Sequence, residues 1–484
     1  MTIPFPRHGL LSVAAIMLGG CAQLPSPVGQ DYQVPELALP ARWSVALPSG
    51  GELPDRNLAR WWRQFGDLQL GQLIDEALAG SLDLRLSQAR LRQARASREQ
   101  AVGGLFPTLT ASTGASHSKN AAAINPQPPR TIYDAGFDAS WEIDIFGGTR
   151  RGIEAAAADQ AASEASLNHT RVSLIAEVAL NYVEMRSYQR RIAIAKDNLA
   201  SQGETLQITE WRYRAGLATS ADVEQARTSR EQTRAAIPDL EVAQAAAENR
   251  LAVLLGRAPG SLHERLDKSA PLPFLPDSVA TGIPAEVLRQ RPDLVAAERT
   301  LAAETARVGQ KLAQRFPSLN LAASFGWQAY GYSALGSAGT LMRAVSGSLA
   351  ATLFDGGKLR SAVEIQNSVQ EQALIGYQSS VLAALEEVEN ALTAYALGRE
   401  RVAARQAAAD AARNAAQLSR NLYQSGLADF QKVLETERTR LSAEDSLASA
   451  EAAMRTNLIK LYKALGGGWE QTSETPAPHD KAPS

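Results

Sequence analysis

The sequence predicts an α+β membrane protein that contains one unit twice, with short strands and long helical hairpins in each copy. Three observations predict this class. The chain matches itself when it is shifted by 210 positions, each copy contains two strand-like segments, and both copies continue into helices with a seven-residue apolar spacing. After residue 20 no apolar run reaches the length of about 18 residues that a spanning helix requires. We therefore expect strands, and not helices, to meet the membrane.

The N-terminal end resembles that of a bacterial lipoprotein. Residues 1–20 combine Arg7 with an apolar run from Leu10 to Leu18, which is typical of a signal peptide. Cys21 is the single cysteine, and the small residues before it resemble a lipobox. We expect N-acyl and S-diacylglycerol lipid on Cys21, within a lipidated segment 21–69; the alternative is a buried or accidental cysteine. Neither of the next two residues is aspartate, and for a lipoprotein this implies transport to the outer membrane.

The self-match divides the rest of the chain into two copies, residues 70–258 and 284–468, joined by a proline-rich connector, 259–283. The tail, 469–484, is polar and is expected to be disordered. The matching points include "FPTL" and "FPSL", and "YRAGLA" and "YQSGLA", which begin at Phe106, Phe316, Tyr213 and Tyr423. One register held over so many separated points predicts an internal tandem repeat.

Each copy is predicted to contain a helix, two strands, a long helix, a tight turn and a returning helix. The alanine- and arginine-rich segment from Leu82 to Val102 predicts the first helix. The segments "TLTASTGASHS" and "TIYDAGFDASWEID" predict strands, and "SLNLAASFGWQAYG" and "LMRAVSGSLAATLF" repeat them in the second copy. Their loose alternation of polar and apolar residues is expected where one strand face meets lipid and the other meets water.

The long helix of the first copy is predicted from about Arg151 to Arg214, a length of roughly 95 Å at about 1.5 Å per residue. A strict seven-residue spacing is the signature of helices packed in supercoils. The positions in this phase are Val178, Met185, Ile192, Leu199, Leu206 and Tyr213, and then Val388, Tyr395, Val402, Ala409, Ala416 and Tyr423. Glycines 216 and 426 are expected to end the long helices. The returning helices are predicted over Ser220–Leu255 and Phe430–Leu465.

Several motifs together resemble one family. They are "RWWRQFGDLQLGQLIDEAL", "LFPTL", "WEIDIFGG", "LRQRPDL", "FPSL" and "LFDGG", with Tyr-x-x-Gly-Leu at both hairpin ends. With the Cys21 anchor and two strand pairs, they resemble the outer-membrane channels of bacterial tripartite efflux systems, in the lipoprotein, multidrug-pump branch. The resemblance covers nearly the whole mature chain.

This resemblance implies a homotrimer, in which four strands per chain close a trimeric 12-stranded β-barrel that continues into a long α-helical coiled-coil barrel. It implies the passive, gated exit duct of a tripartite pump of the RND type, anchored in outer-membrane lipid and extending into the periplasm. A periplasmic adaptor protein and an inner-membrane pump would be its partners. The alternatives are a lipid-anchored envelope scaffold or adhesin without a pore and, with less support, a type I secretion exit channel.

The resemblance also places a gate on the second returning helix. Glu435 falls at the acidic position of the family's constriction and Arg438 at a basic position three residues later. In a trimer three Glu435 carboxylates would repel one another, and Arg438 would supply a counter-charge. The alternative is a solvated pair within the helix, which contributes about 0.2–1 kcal/mol. Lys432 stands where related channels often carry a second acid, and Gln431 stands at the family's leucine plug.

A lock and a docking surface are implied near the same turns. Tyr423 and Asp222 match a pair that holds neighbouring hairpins closed in relatives, although Asp222 is also suited to cap a helix with Thr219. The turns themselves are the expected docking surface for the adaptor. Its residues are Gly216, Leu217, Gly426 and Leu427.

Composition and motifs point away from other functions. The 49 basic and 51 acidic residues leave no charge surplus for nucleic acid. The five histidines form no metal-binding helix pair, and neither a phosphate loop nor a nucleophile elbow is present. We therefore expect no enzyme, no catalytic residues, no metal and no cofactor other than the lipid.

Overall fold

A computed structural model describes residues 26–36, 43–44, 58–119, 128–276 and 285–469. The predicted signal peptide, Cys21 and residues 470–484 of the predicted tail lie outside the described residues. Contacts divide the chain into two compact units. The first comprises the described residues of Met1–Glu36, Leu91–Ser163 and Ala296–Tyr377, and the second those of Leu37–Arg90, Glu164–Val295 and Gln378–Ser484. Each unit therefore contains parts of both repeats.

The first unit contains one antiparallel sheet with the strand order β1-β2-β3-β4. The strands are β1 (Thr108–Ser118), β2 (Arg130–Ile143), β3 (Ser318–Ala329) and β4 (Leu341–Ala350). All four predicted strands are present. Only β4 ends clearly early, at Ala350 and not at Phe354, because Ala350 pairs with Ser318, the first residue of β3.

The α-helices of the described residues are α1 (Leu68–Gly80), α2 (Leu82–Gly103), α3 (Gly148–Arg214), α4 (Ser220–Leu254), α5 (His263–Leu266), α6 (Pro292–Ala313), α7 (Lys358–Gln424) and α8 (Phe430–Ala464). Three pairs repeat with the predicted period of 210 residues, namely α2 with α6, α3 with α7, and α4 with α8. The long helices α3 and α7 have 67 residues each, and the returning helices α4 and α8 have 35 each. This agreement confirms the tandem repeat, with helix ends close to those predicted.

Helix α3 begins at Gly148, three residues before the predicted Arg151, because a side chain upstream binds its first turn. The Asp144 carboxylate accepts hydrogen bonds from the backbone N–H groups of Thr149 (3.2 Å) and Arg150 (2.9 Å). Such acceptors satisfy N–H groups that have no partner within a helix. The "WEIDIFGG" motif therefore ends a strand and starts the long helix.

The seven-residue spacing corresponds to the buried faces of the long helices in the second unit. Val178, Met185 and Val388 are fully buried, and Tyr395 and Ala409 are buried as well. Apolar burial contributes roughly 25 cal/mol per Å², so this continuous stripe is a principal source of hairpin stability.

The "RPDL" motif joins three segments of the second unit. The buried Arg291 guanidinium donates to the Ala464 carbonyl (2.8 Å) and to the carboxylates of Asp293 (2.7 Å) and Glu387 (2.9 Å). Burial alone would raise the pKa of Asp293, but its bonds to Arg291 hold that pKa below its usual value. The arginine thus ties the start of α6 to the last turn of α8 and to α7.

Candidate functional site at the hairpin tips

Both hairpin turns are built on a glycine in the left-handed region. Gly216 has φ +73° and Gly426 has φ +77°, a conformation that L side chains rarely adopt. The next residues, Leu217 and Leu427, donate backbone hydrogen bonds of 2.8 Å to the carbonyls of Arg212 and Leu422. This Schellman arrangement ends each long helix and leaves Leu217 67% and Leu427 77% exposed.

The returning helices start with side-chain caps at matching positions. The Thr219 hydroxyl accepts a bond from the Asp222 N–H at 3.2 Å, and the Asp222 carboxylate accepts one from the Thr219 N–H at 2.9 Å. In the second copy the Asp429 carboxylate accepts a bond from the Lys432 N–H at 2.8 Å. Each cap stabilises its helix start by about 1 kcal/mol.

One apolar cluster joins the ends of the two hairpins. Its buried members are Leu206, Val223, Ala226, Tyr423, Phe430, Val433 and Leu434. The cluster takes residues from all four hairpin helices, so the two turns are held as neighbours. Tyr423 is 3% exposed, whereas its counterpart Tyr213 is exposed despite the shared seven-residue phase. Phe430 packs against Tyr423, whereas Ser220 stands at the equivalent position in the first copy.

Tyr423 is bound from both sides within the chain. Its hydroxyl donates to the Thr209 hydroxyl at 3.3 Å, and the Arg212 guanidinium lies 4.6 Å from its ring centroid and donates to its carbonyl at 2.8 Å. Asp222 is half-buried and serves its own helix cap. Among the described residues, Tyr423 and Asp222 form no bond with each other within one chain. The lock therefore remains a prediction about neighbouring chains.

The predicted gate residues lie on the exposed face of α8. Glu435 pairs with Lys432 at 3.1 Å, and Gln431 donates to Gln225 of α4 at 2.8 Å. Arg438 is exposed, and in the part of the chain that the structure describes it forms no ion pair. Within one chain the counter-charge to Glu435 is therefore Lys432 and not Arg438. This places opposite charges one helical turn apart on a polar face.

The structure also contains buried charges that the sequence analysis missed. Glu437 accepts a hydrogen bond from Thr205 at 2.6 Å and lies 3.4 Å from Arg420. One heptad later, Glu444 is buried between Arg413 (3.0 Å) and Arg440 (3.3 Å). The seven-residue spacing of these two glutamates is the signal that could have revealed them.

Glu437 makes hairpin stability depend on pH. Burial raises the pKa of its carboxyl, although Thr205 and Arg420 oppose the shift. The folded state therefore binds this proton more tightly than the unfolded state does. The folded hairpin therefore gains stability that is fully present at pH values below the ordinary glutamate pKa of about 4.3. This stability is lost as the pH rises through the raised pKa of Glu437.

Glu437→Gln is therefore expected to raise resistance to heat unfolding near neutral pH and to leave it nearly unchanged at about pH 4. The amide keeps an acceptor for Thr205 without a buried charge. Thermal unfolding followed by circular dichroism at both pH values measures the effect. The exposed Glu435→Gln is the matched control and should change little. Greater stability of the wild type at neutral pH would contradict this account.

Two features are absent from the described residues. No group of three or more histidine, cysteine, aspartate or glutamate side chains is arranged to hold a metal ion. No helix there combines the length and apolar character needed to span a membrane.

Comparison with known proteins gives one consistent result. The model of the outer membrane efflux protein family matches residues 73–257 and 283–467. The pyoverdine export outer membrane protein OpmQ of Pseudomonas aeruginosa is 31% identical over 471 residues, which cover 94% of this chain and 96% of that protein. The probable outer membrane lipoprotein SilC of Salmonella typhimurium is 28% identical over 462 residues, which cover 95% and 98%. The solved outer-membrane channel OprN has a TM-score of 0.85 and 36% identity, over 91% of this chain and 99% of that one.

Proposed function

Because this chain belongs to the outer membrane efflux protein family, we propose that it is the gated, lipid-anchored exit duct of a tripartite drug or small-molecule efflux pump. The pump is expected to be of the RND type. One observation supports the gate. The two hairpins contact the same apolar cluster, and the polar face of α8 beside the turns stays exposed.

The coarser predictions from the sequence are confirmed by the family match and by the similarity to OprN. The chain has the outer-membrane channel fold with an internal tandem repeat. It is an outer-membrane exit duct of efflux pumps, and it resides in the cell outer membrane. Its family is one of channels, not of enzymes.

We infer that three copies form the duct. Strands β1 and β4 each pair on one side only among the described residues, and sheet edges with free backbone groups are normally paired or covered. A twelve-stranded assembly of three chains pairs every such edge. The helical hairpins then form the part of the duct that extends into the periplasm.

The lipid on Cys21 is a proposal that the name of SilC as a lipoprotein supports. The anchor would be close to the folded chain, because Val28, seven positions after the cysteine, donates a backbone hydrogen bond to the Phe146 carbonyl at 3.1 Å.

The gate is proposed at Gln431, Lys432, Glu435 and Arg438. In a trimer the three Glu435 side chains repel one another unless cations or partner charges neutralise them. Lys432 is already within ion-pair distance, so each chain carries its own neutralising charge. The unpaired Arg438 remains available to a neighbouring chain. This arrangement favours a closed gate, which small changes in the charges of these side chains can open.

The adaptor is proposed to dock on the hairpin turns, at Gly216, Leu217, Gly426 and Leu427. The two exposed leucines offer apolar anchors on turns whose backbone is fixed by glycine. A rigid turn binds with little entropy loss. The inner-membrane pump would then connect to the duct through the adaptor.

The proposed function is tested by deleting the gene in its own strain and restoring it on a plasmid. Deletion should raise susceptibility to bile salts, dyes or aromatic drugs, and the wild-type gene should reverse the change. Unchanged susceptibility to all three classes would contradict a role in drug export and would favour the scaffold or adhesin.

The lock is tested by separating the two roles of Asp222. Asp222→Ala removes the helix cap and the lock, whereas Thr219→Ala removes only the cap, at about 1 kcal/mol in either case. Asp222→Ala combined with Tyr423→Phe should raise single-channel conductance or antibiotic uptake, whereas Thr219→Ala alone, which keeps both Tyr423 and Asp222, should not. Planar bilayers and uptake assays provide the measurement. Equal behaviour of the double variant and of Thr219→Ala would remove the lock.

A further inference from the structure

The two faces of the sheet differ in charge. The three ladders run in continuous register, so the even-numbered residues of all four strands share one face and the odd-numbered residues share the other. The four strands contain five aspartate, glutamate, lysine or arginine residues. Four of them lie on the even-numbered face, at Arg130, Asp134, Asp138 and Glu142. The fifth, Arg343 of β4, lies on the odd-numbered face.

The odd-numbered face carries the large apolar side chains of the sheet. In the proposed duct, each strand alternates between residues that meet lipid and residues that meet the lumen, so this apolar face meets lipid. Within the four described strands, Arg343 is thus the one lysine or arginine on the lipid-facing side. The large apolar residues of this face include Leu109, Phe137, Ile143, Leu319, Leu321, Phe325, Trp327, Leu341, Val345 and Leu349.

Apolar side chains surround Arg343 on this face. Phe325 of β3 stands directly opposite it, and Leu341 and Val345 are its nearest neighbours on the same face of β4. Phe325 also packs edge to face on Trp327, with ring centroids 5.5 Å apart. The Arg343 side chain is exposed and makes no hydrogen bond or ion pair with any residue that the structure describes. Its five N–H donors therefore need an acceptor that the described residues do not supply.

The depth of Arg343 along the sheet places it near the outer leaflet. Strands β2 and β4 lead into α3 and α7 at the end that contains Ile143 and Ala350, which faces the periplasm in the proposed duct. Arg343 precedes Ala350 by seven positions. At about 3.4 Å per residue and a strand tilt of about 40°, it stands roughly 18 Å above that end. Because the apolar band of such sheets is about 25 Å tall, the long side chain can extend to the outer interface.

Aromatic residues mark the same interface. Tyr133 packs edge to face on Tyr332, with ring centroids 6.0 Å apart, and Trp327 and Tyr330 lie at the same end of the sheet. Such aromatic residues form a girdle where membrane strands leave the apolar band. Arg343 stands 210 positions after Tyr133, so it occupies the equivalent level in the second repeat. The cation is therefore at the height of lipid headgroups.

We propose that Arg343 binds a phosphate group of lipid A, the phosphorylated glycolipid of the outer leaflet, at the lipid-facing side of β4. The proposal rests on the proposed duct, which sets the orientation of the sheet. A planar guanidinium holds a phosphate by two parallel charge-assisted hydrogen bonds. Acyl chains of the same molecule cover Leu341, Val345 and Phe325. A free phosphate ion would supply only the first of these contacts, so a cation among apolar side chains selects a lipid.

The site is tested on purified full-length trimers in a mild non-ionic detergent, by native mass spectrometry with lipid A as the probe. The wild type is compared with Arg343→Gln, which removes the charge, and with Arg343→Lys, which keeps the charge but not the planar fork. Arg130→Gln is the matched control, because it removes an arginine from the other face of the same sheet. Lipid A without its phosphates and inorganic phosphate are the comparison ligands. Conductance in planar bilayers is recorded for every variant.

We expect lipid A to bind Arg343→Gln roughly tenfold more weakly than the wild type, because a charge-assisted hydrogen bond is lost. Arg343→Lys should be intermediate, and Arg130→Gln should bind like the wild type. Lipid A without phosphates should bind the wild type as weakly as lipid A binds Arg343→Gln. Inorganic phosphate should displace little lipid A.

Three results would contradict the proposal in different ways. Equal binding of lipid A by the wild type and Arg343→Gln, in trimers that conduct, would overturn the lipid site and leave the duct standing. Full displacement of lipid A by inorganic phosphate would identify a site for free anions and overturn the assignment to lipid. Wild-type trimers that insert and carry no current would overturn the proposed duct, and with it the orientation on which the site depends.

Discussion

Replacing Leu217 and Leu427 together by arginine is expected to reduce efflux to the level of a deletion strain. Both side chains are exposed at turns whose backbone is fixed by Gly216 and Gly426. Each leucine is expected to contribute about 2 kcal/mol to the free energy of binding the adaptor. Loss of both corresponds to a decrease of roughly 1,000-fold in affinity. Susceptibility tests and co-purification with the adaptor measure the result. Because the turns lie outside the apolar cluster, the variant should still assemble and conduct.

Methionine at the same two positions is the matched control for this experiment. It keeps an apolar side chain of similar volume, and such exchanges usually cost less than about 1.5 kcal/mol. Efflux should therefore be close to that of the wild type. If the arginine variant still exports drugs and binds the adaptor, the turns are not the docking surface.

Arg151→Met is expected to release the segment that follows the proposed lipid anchor. The buried Arg151 side chain donates to the carbonyls of Val28 (3.1 Å) and Gly29 (3.2 Å) and pairs with Asp31 (2.8 Å) and Glu154 (2.7 Å). Removing a buried charged donor destabilises the folded state by about 3 kcal/mol or more. Because Asp31 is exposed, we expect the loss of stability here to be roughly 2 kcal/mol. Limited proteolysis of residues 26–36 should become several times faster.

Arg307→Met is the matched control, because this arginine of the same unit is also paired, with Asp159 of α3 and Glu304 of α6. Proteolysis of residues 26–36 should stay at the wild-type rate in this variant. Equal protection of the segment in both variants would show that Arg151 does not hold it. The comparison of the two variants tests whether the segment that follows the proposed anchor is fixed to the start of α3.

The sequence predicted the repeat and most of the architecture because these depend on local, periodic signals. The 210-residue match predicted a long helix and a returning helix in each copy, and the structure contains two long helices of 67 residues and two returning helices of 35. Glycines at the turns and the seven-residue spacing were sufficient to place the hairpins. The exception is Tyr213, which shares the seven-residue phase but is exposed in the single chain.

The charge arrangement could not be predicted, because it depends on which helices become neighbours. The seven-residue spacing of Glu437 and Glu444 places both on one face of α8, but it does not identify their partners, Arg420 and Arg413 of α7. Likewise, Lys432 and Arg438 lie equally near Glu435 along α8, and the structure pairs the glutamate with Lys432. Which of these charged side chains pair with each other becomes known only from the packed helices.

The most direct test of the central claim, that this chain forms a gated duct through the outer membrane, is conductance of the purified full-length protein in planar bilayers. The account predicts heat-modifiable trimers that give discrete conductance steps. It also predicts larger or more frequent steps when Lys432→Ala leaves Glu435 unpaired, because the three carboxylates then repel one another. Stable trimers that insert into the bilayer and carry no current would contradict the account and identify a scaffold without a pore.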